Sequence, residues 1–493
     1  MWIASGLVFL VVGLVVSALV NADVAARSTL DAKGWLGLEV ANRLALNTPL
    51  LVLLCGLIPV LIGLGVYLVP LQVGSPIVAF PRAAAAAFWG WLLTSIIFIV
   101  SIAANGSYGG TNTNSARLGN VAVGALLVTL AVGATCVAVT VLNLRAEGMT
   151  LRRVPMFAWS MLVAGSVWVL TFASALARVV LLHIERPTPD ILTAGWADIG
   201  WLFHQPALYL AAIPLLGIAA DIVPVMTRTP QRMPGAVQAA IGAFGFLSFG
   251  AWTQGIDGKS VAVSTIVWVA FSLAAILPVL GVVGGLADTI RQGRPQVSAA
   301  LGCALVSQFL LLLAGLSGAL AAIATAGKGN WFEILDTPPL LGMSIGQFQL
   351  VAGAVVVGLL GALLFWGPKI WGGTANETVG RGLLVLANLG ALLYGASHAV
   401  LGLTAPGGDG YRAFAAIAAA GAALLAVTVL GIMSLAASAA RYGDSGPADP
   451  WGGFTLEWSV SSPPPAGNFE APPVVTSATP LYTDADESTK GGN

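Results

Sequence analysis

The chain has 493 residues, of which 57% are hydrophobic and 9% charged, a balance far outside that of soluble globular proteins. Its 21 basic and 21 acidic residues cancel, so nothing in the charge points to nucleic acid or another polyanion as a partner. What remains is a polytopic membrane protein with lipid as its solvent.

The first apolar run begins at Met1 with no basic leader and no obvious cleavage site, and reads as a retained span. Apolar windows of membrane-crossing length predict about twelve spans, roughly 2–22, 43–70, 84–104, 118–143, 155–183, 199–226, 234–253, 261–287, 297–326, 340–367, 378–403 and 411–437. The expected fold class is therefore all-α integral membrane. An even number of spans places both termini on one side. Loops carrying Arg145, Arg152 and Arg153, then Arg228 and Arg232, then Arg291 and Arg294, then Lys369 and Arg381 alternate with acidic or mixed loops. By the positive-inside rule these loops and both termini are cytoplasmic, in a membrane read as that of a prokaryotic cell. Glycine and alanine are frequent within the spans, as at Gly353, Gly358, Gly361 and Ala362, where they permit close helix approach. Cys55, Cys136 and Cys303 lie in separate apolar runs with no knuckle or disulfide spacing, and read as packing. The chain divides into a membrane bundle over 1–440 and a Pro/Gly-rich tail over 441–493, expected to be irregular beyond Phe469.

One span departs from plain hydropathy. Trp201 to Arg228 carries His204, Gln205, Pro206 and Tyr209 at membrane depth, where such groups face protein rather than acyl chains. This run resembles the sixth transmembrane helix of subunit I of the heme-copper oxidases. Further stretches carry the same resemblance: Tyr67 to Gln72 with Ala79-Phe80-Pro81-Arg82, Leu144 to Thr150 with Pro155-Met156-Phe157, and Asn388 with His398 ahead of Leu401-Gly402-Leu403. The longest is in the tail, where Asp449 to Trp458, Ser462 to Pro465 and Asn468-Phe469 resemble the family's C-terminal signature. The resemblance implies a twelve-helix subunit I-like bundle, a respiratory role, and a subunit II-like or other membrane redox subunit as partner.

The family's metals need six histidines, because neutral imidazole is the nitrogen ligand that suits both iron and copper. This chain has three. Aligned through the matching prolines, Gln205 stands where the family has a copper ligand, His204 falls one residue early, the family's proton-passing glutamate matches Ala207, and Tyr209 is retained. The second-helix heme ligand falls on Thr48, or on Asn47 in a register shifted by one. The paired copper ligands of the seventh helix, aligned through Trp252, Gly255 and Asp257, fall on Phe249 and Gly250. The His-Phe-His of the tenth matches Gln347-Phe348-Gln349, and an amide is a very poor iron ligand. The arginines that hold heme propionates match Gly407-Gly408 after Ala405-Pro406, and the proton-path aspartate and lysine match Ile77 and Val282.

The resemblance with these substitutions implies a degenerate member: a non-catalytic scaffold subunit, no heme or copper expected, no catalytic residue and no metal site. One alternative is a terminal oxidase, oxidising cytochrome c or quinol, reducing oxygen and translocating protons with unorthodox ligands. Another is a quinone or lipid site in the vacated space, bounded by Thr48, Gln205, Phe249 and Gln347. His183, His204 and His398 read as structural, as does Tyr209. Met343 reads as packing, and Arg178 and Asp221 as groups that snorkel or pair with polar neighbours.

Overall fold

The computed structural model describes the chain apart from residues 28–33, 186–187, 196–198, 201, 203–204, 252–260, 327–337, 402–408, 444–446 and 483–493. Its spanning elements are α1 (Trp2–Ala26), α2 (Leu38–Leu50, a π-helical stretch Leu51–Leu57, then Ile58–Val73), α3 (Pro81–Ala103), α4 (Thr113–Asn143), α5 (Met156–Ile184) and α6 (Gln205–Met226). They continue as α7 (Pro234–Ala251), α8 (Val261–Ala274 and Ile276–Gln292), α9 (Ala299–Ala326), α10 (Pro338–Trp371), α11 (Glu377–Ala391, a π-helical stretch Leu392–Ala396, then Ser397–Leu401) and α12 (Asp409–Tyr442). Eleven of these helices are long and apolar enough to cross a membrane, and Pro234–Gly250 is a shorter apolar one. The sequence expectation of about twelve spans thus becomes eleven full-length helices and one short helix among the described residues. The protein is a multi-span integral membrane protein.

Helices form here because a backbone in hydrocarbon must satisfy its own N–H and C=O groups, and a helix does so within one segment. Hydropathy then sorts them. The most apolar windows of α2, α6 and α10 are about nine-tenths or more buried, whereas only 22% of the α8 window is buried. A helix apolar on every side and buried on every side is a central one. So α2, α6 and α10 form the interior, and α1, α3, α5, α8 and α11 turn much of their surface to lipid. The tightest pairings are α9 with α10, α1 with α12, and α4 with both α3 and α5.

Two places depart from regular α-helix. In α2, Pro49 and Pro59 withdraw backbone donors on either side of Leu51–Leu57, and the ladder re-registers between them. The Leu54 carbonyl in that stretch accepts from the Trp91 indole at 3.0 Å, so a side chain of α3 meets part of the displaced backbone demand. In α11 the irregular stretch Leu392–Ala396 lies against α10 and α12. Gly421 of α12 faces the Tyr394 backbone and Gly353 of α10 faces Ala391 so closely that a Cβ at either glycine would overlap its neighbour. These contacts draw α10, α11 and α12 together.

The tail does not simply leave the bundle. Phe454, Leu456 and Trp458 are buried, and the Trp451 indole donates to Phe365 O of α10 at 2.8 Å. The described residues from Phe469 to Tyr482 form no helix, yet they return to the bundle: Val475 is buried and its N–H donates to Glu147 O at 2.9 Å.

Candidate functional site

The positions matched to metal ligands are dispersed in their chemistry. Thr48 is buried on α2, and its hydroxyl donates to Leu44 O of its own helix at 2.7 Å. Asn47 beside it donates to Arg43 O at 2.7 Å and Tyr108 O at 2.8 Å and accepts from Ser107 at 2.7 Å, which fastens α2 to the connection between α3 and α4. Both are committed to backbone or loop bonding.

Phe249 lies near the end of α7, 43% exposed, with its ring edge-on to Phe246 at 5.7 Å. An outward-facing ring neither fills an interior space nor bounds one, so the expectation that Phe249 lines the vacated site is corrected. Gly250 is buried where Phe271 of α8 packs so closely that no side chain fits. Gln205 opens α6, His204 lies outside the described residues, and so do Trp252, Gly255, Asp257 and Ala405 to Gly408. Tyr209 is buried against Phe244 at 4.7 Å, a packing contact of the kind expected for a structural tyrosine.

The two glutamines of α10 are where the structure concentrates polarity. Gln347 and Gln349 are buried, and Gln349 lies beside the hydroxyl of Tyr394 on α11. That hydroxyl also meets Ser17 of α1 at 2.7 Å, and Asn21, one turn further on, donates to Ser17 O at 2.8 Å. Side chains of α1 and α11 therefore bond one another directly, beside Gln349 of α10. Gln347 Nε2 and Gln349 Oε1 are buried without a hydrogen-bond partner among the described residues. One is a donor and cannot ligate a metal; the other is an amide oxygen, which binds iron poorly. Sequence reading alone missed Ser17 and Tyr394, because neither residue carries a spacing or composition that marks it.

A second polar cluster lies at the end of the bundle that carries the tail. Asp221 of α6 accepts from the Met156 and Phe157 N–H groups at 2.9 and 3.1 Å, capping the start of α5, and from Gln72 Nε2 at 2.9 Å. The pairing expected for Asp221 is thus with backbone and amide donors. Gln72 Nε2 also donates to Glu457 Oε1 at 3.1 Å, which the Trp366 indole reaches at 3.2 Å. Burial holds the Glu457 carboxyl above the usual carboxylate range, and the bonds from Gln72 and Trp366 draw it partway back. Lys369 donates to Val460 O at 2.6 Å and lies over the Trp458 ring at 5.2 Å. The cluster can anchor the tail; two carboxylates sharing one amide donor form no ligand set for a metal.

The family model for "Cytochrome C and Quinol oxidase polypeptide I" matches residues 1–436. The cytochrome c oxidase subunit 1 of Bacillus subtilis is 27% identical over 457 residues, covering 86% of this chain and 72% of the relative. The quinol oxidase subunit 1 of the same organism is 27% identical, over 88% of this chain and 71% of the relative. The heme-copper oxidase subunit I+III of Aeropyrum pernix is 26% identical, over 85% of this chain and 54% of the relative.

These relatives correct the expectation that no cofactor attaches to the chain: the matched family is one of oxidases that carry heme and copper. The fit of this chain to those groups is a separate matter. Thr48, Phe249, Gly250, Gln347 and Gln349 offer no imidazole, and among the described residues no group of three or more His, Cys, Asp or Glu side chains gathers. The described residues at the matched positions do not fit the family's histidine set, so no chemical step is derived through either group.

Proposed function

Because this chain belongs to the cytochrome c and quinol oxidase polypeptide I family, we propose that it serves as a non-catalytic subunit I-like scaffold in a respiratory or redox membrane complex. In that role it holds a subunit II-like or other membrane redox partner and leaves oxygen reduction to other chains. The observation that carries the reading is the buried 2.7 Å bond between Ser17 of α1 and Tyr394 of α11, with Gln349 of α10 beside the same hydroxyl. In the family's pattern the Gln349 position belongs to a histidine that grips a metal; here it neighbours a helix-to-helix tie. A second support is the docked tail, whose aromatic anchors and Gln72–Glu457 bond keep the family-like signature folded against the bundle.

The orientation belongs to the same reading. The tail shares one face with the loops bearing Arg145, Arg153, Arg228 and Arg294, through Glu147 with Val474 and Arg228 with Gly452. By the positive-inside rule that face is cytoplasmic in a prokaryotic membrane. Co-purification from native membrane tests the scaffold role. A stoichiometric membrane partner, and oxygen uptake with reduced cytochrome c or quinol that persists when Gln347 and Gln349 are replaced by alanine, are the expected results. A chain isolated alone, or an oxygen reductase activity that these replacements abolish while the complex stays assembled, would favour the oxidase with unorthodox ligands.

A further inference from the structure

On the tail-bearing face a cavity of about 760 Å³ opens between the α6–α7 turn, the α8–α9 connection and the tail. Its size falls within the range of small-molecule sites, roughly 300–1,000 Å³. Arg228, Thr229, Gln292, Arg294 and Gln296 line it, facing Gly452, Phe454 and Tyr482. No aspartate or glutamate is among its described lining residues. Among the described residues the ion pairs are Arg27 with Asp23 and Arg381 with Glu377, so neither Arg228 nor Arg294 is neutralised by a described acid within salt-bridge distance.

The walls are held by backbone rather than by side-chain chance. Arg294 N–H donates to Thr227 O and Gln296 N–H to Met226 O, each at 2.8 Å, so the two turns are clamped edge to edge. Leu481 N–H donates to Phe454 O at 3.3 Å, and the Phe454 and Tyr482 rings meet edge-on at 5.1 Å to form the tail's side of the cavity. Arg228 adopts φ +56, a left-handed conformation that costs a non-glycine residue energy. Its guanidinium lies over Gly452, itself at φ +67, where a Cβ would come within 3.1 Å of Nη1. The strained backbone and the missing side chain together aim a cation at the cavity.

We propose that this cavity binds a phosphate-bearing anion, held by the forks of Arg228 and Arg294. Guanidinium groups pair bidentately with phosphate oxygens, and two of them match a group that carries up to two negative charges. The aromatic wall offers apolar surface for whatever the phosphate is attached to. The ends of α6, α8 and α9 meet here, so the phosphate comes either from a phospholipid headgroup at the membrane boundary or from a soluble ion.

The test uses full-length protein in neutral detergent, wild type beside Arg228→Gln/Arg294→Gln, with matched thermal midpoints. Inorganic phosphate is titrated calorimetrically, and phosphatidylglycerol retention is compared with phosphatidylcholine after exchange into mixed micelles. Because Asp484, Asp486 and Glu487 follow Tyr482 in the sequence, the same measurements are made with those three changed to their amides. The expected result is saturable binding of at least one probe, weakened by added salt and reduced at least tenfold in the double variant. Loss for phosphate identifies a soluble ligand; loss for phosphatidylglycerol alone identifies a lipid headgroup. Arg228→Lys and Arg294→Lys, which preserve charge and fold, should each show a smaller loss. Equal binding by wild type and double variant, or no saturable binding in either tail form, would overturn the proposal.

Discussion

The amide nitrogen of Gln72 donates to the Glu457 carboxylate at 3.1 Å, joining the second helix to a tail segment 385 residues away. The same nitrogen reaches Asp221 at 2.9 Å, so one side chain couples α2, α6 and the tail. Replacing Gln72 with leucine removes the donor the two buried carboxylates share, leaving Asp221 to the Met156 and Phe157 N–H groups and Glu457 to the Trp366 indole, a poorer set for each. Limited proteolysis should find the tail cleaved several-fold faster in Gln72→Leu than in the wild type, with the membrane helices retained.

The pH dependence of tail docking follows from Glu457. Its carboxyl is raised by burial, so the docked state binds the proton more tightly than the released state does. The sign is then fixed: docking is fully favoured below the ordinary glutamate range and weakens as pH rises through the raised value. Lys369 and Asp221 face the same group, one favouring and one opposing its charge. Glu457→Gln keeps an acceptor for Gln72 and Trp366 and removes the titration. Tail protection measured from pH 5 to pH 9 should fall with pH in the wild type and be flatter, and higher at the alkaline end, in Glu457→Gln.

The tie between α1 and α11 is open to a double-mutant cycle. Ser17 and Tyr394 share a hydrogen bond of 2.7 Å in a buried setting. Interhelical bonds in membrane proteins contribute about 0.6 kcal/mol on average and up to about 1.7 kcal/mol. Ser17→Ala and Tyr394→Phe should each destabilise the bundle in detergent unfolding, and the coupling between them should be about 1 kcal/mol. Additive losses would mean that the two hydroxyls do not act on each other.

Close approach at Gly421 makes a larger prediction. A methyl group there would overlap the Tyr394 backbone, which cannot swing aside as a side chain can. Gly421→Ala should therefore separate α12 from α11 and cost about 1–3 kcal/mol, the usual range for overpacking. Gly382→Ala, in α11 with no atom near its would-be Cβ, is the control and should leave the thermal midpoint unchanged or slightly higher.

The fold was largely legible because hydrocarbon imposes one rule on every span. Apolar length alone located α3, α5 and α9 to within a few residues, and the Asp449 to Trp458 run pointed to the family that residues 1–436 match. Hydropathy could not show that α8 is interrupted near Ala275 or that α2 and α11 contain π-helical stretches, since these depend on ladder register rather than composition. The site was legible only by substitution: the matched positions could be named, but not what their side chains do instead. Ser17 and Tyr394 are ordinary residues until α1 and α11 are brought together. Phe249 misled because a position matched to a ligand suggests an inward ring, whereas the direction in which the helix faces decides whether the ring bounds the interior.

Under the proposed scaffold role, Gln347 and Gln349 of α10 support the packing around the Ser17–Tyr394 bond and do not support turnover. The most direct measurement is oxygen uptake by the complex purified from native membrane, comparing the wild type with Gln347→Ala/Gln349→Ala and assaying subunit composition on the same samples. Lowered thermal stability of the variant is expected, with uptake per intact assembled complex unchanged. A variant complex that stays fully assembled and equally stable while its oxygen uptake collapses would contradict it.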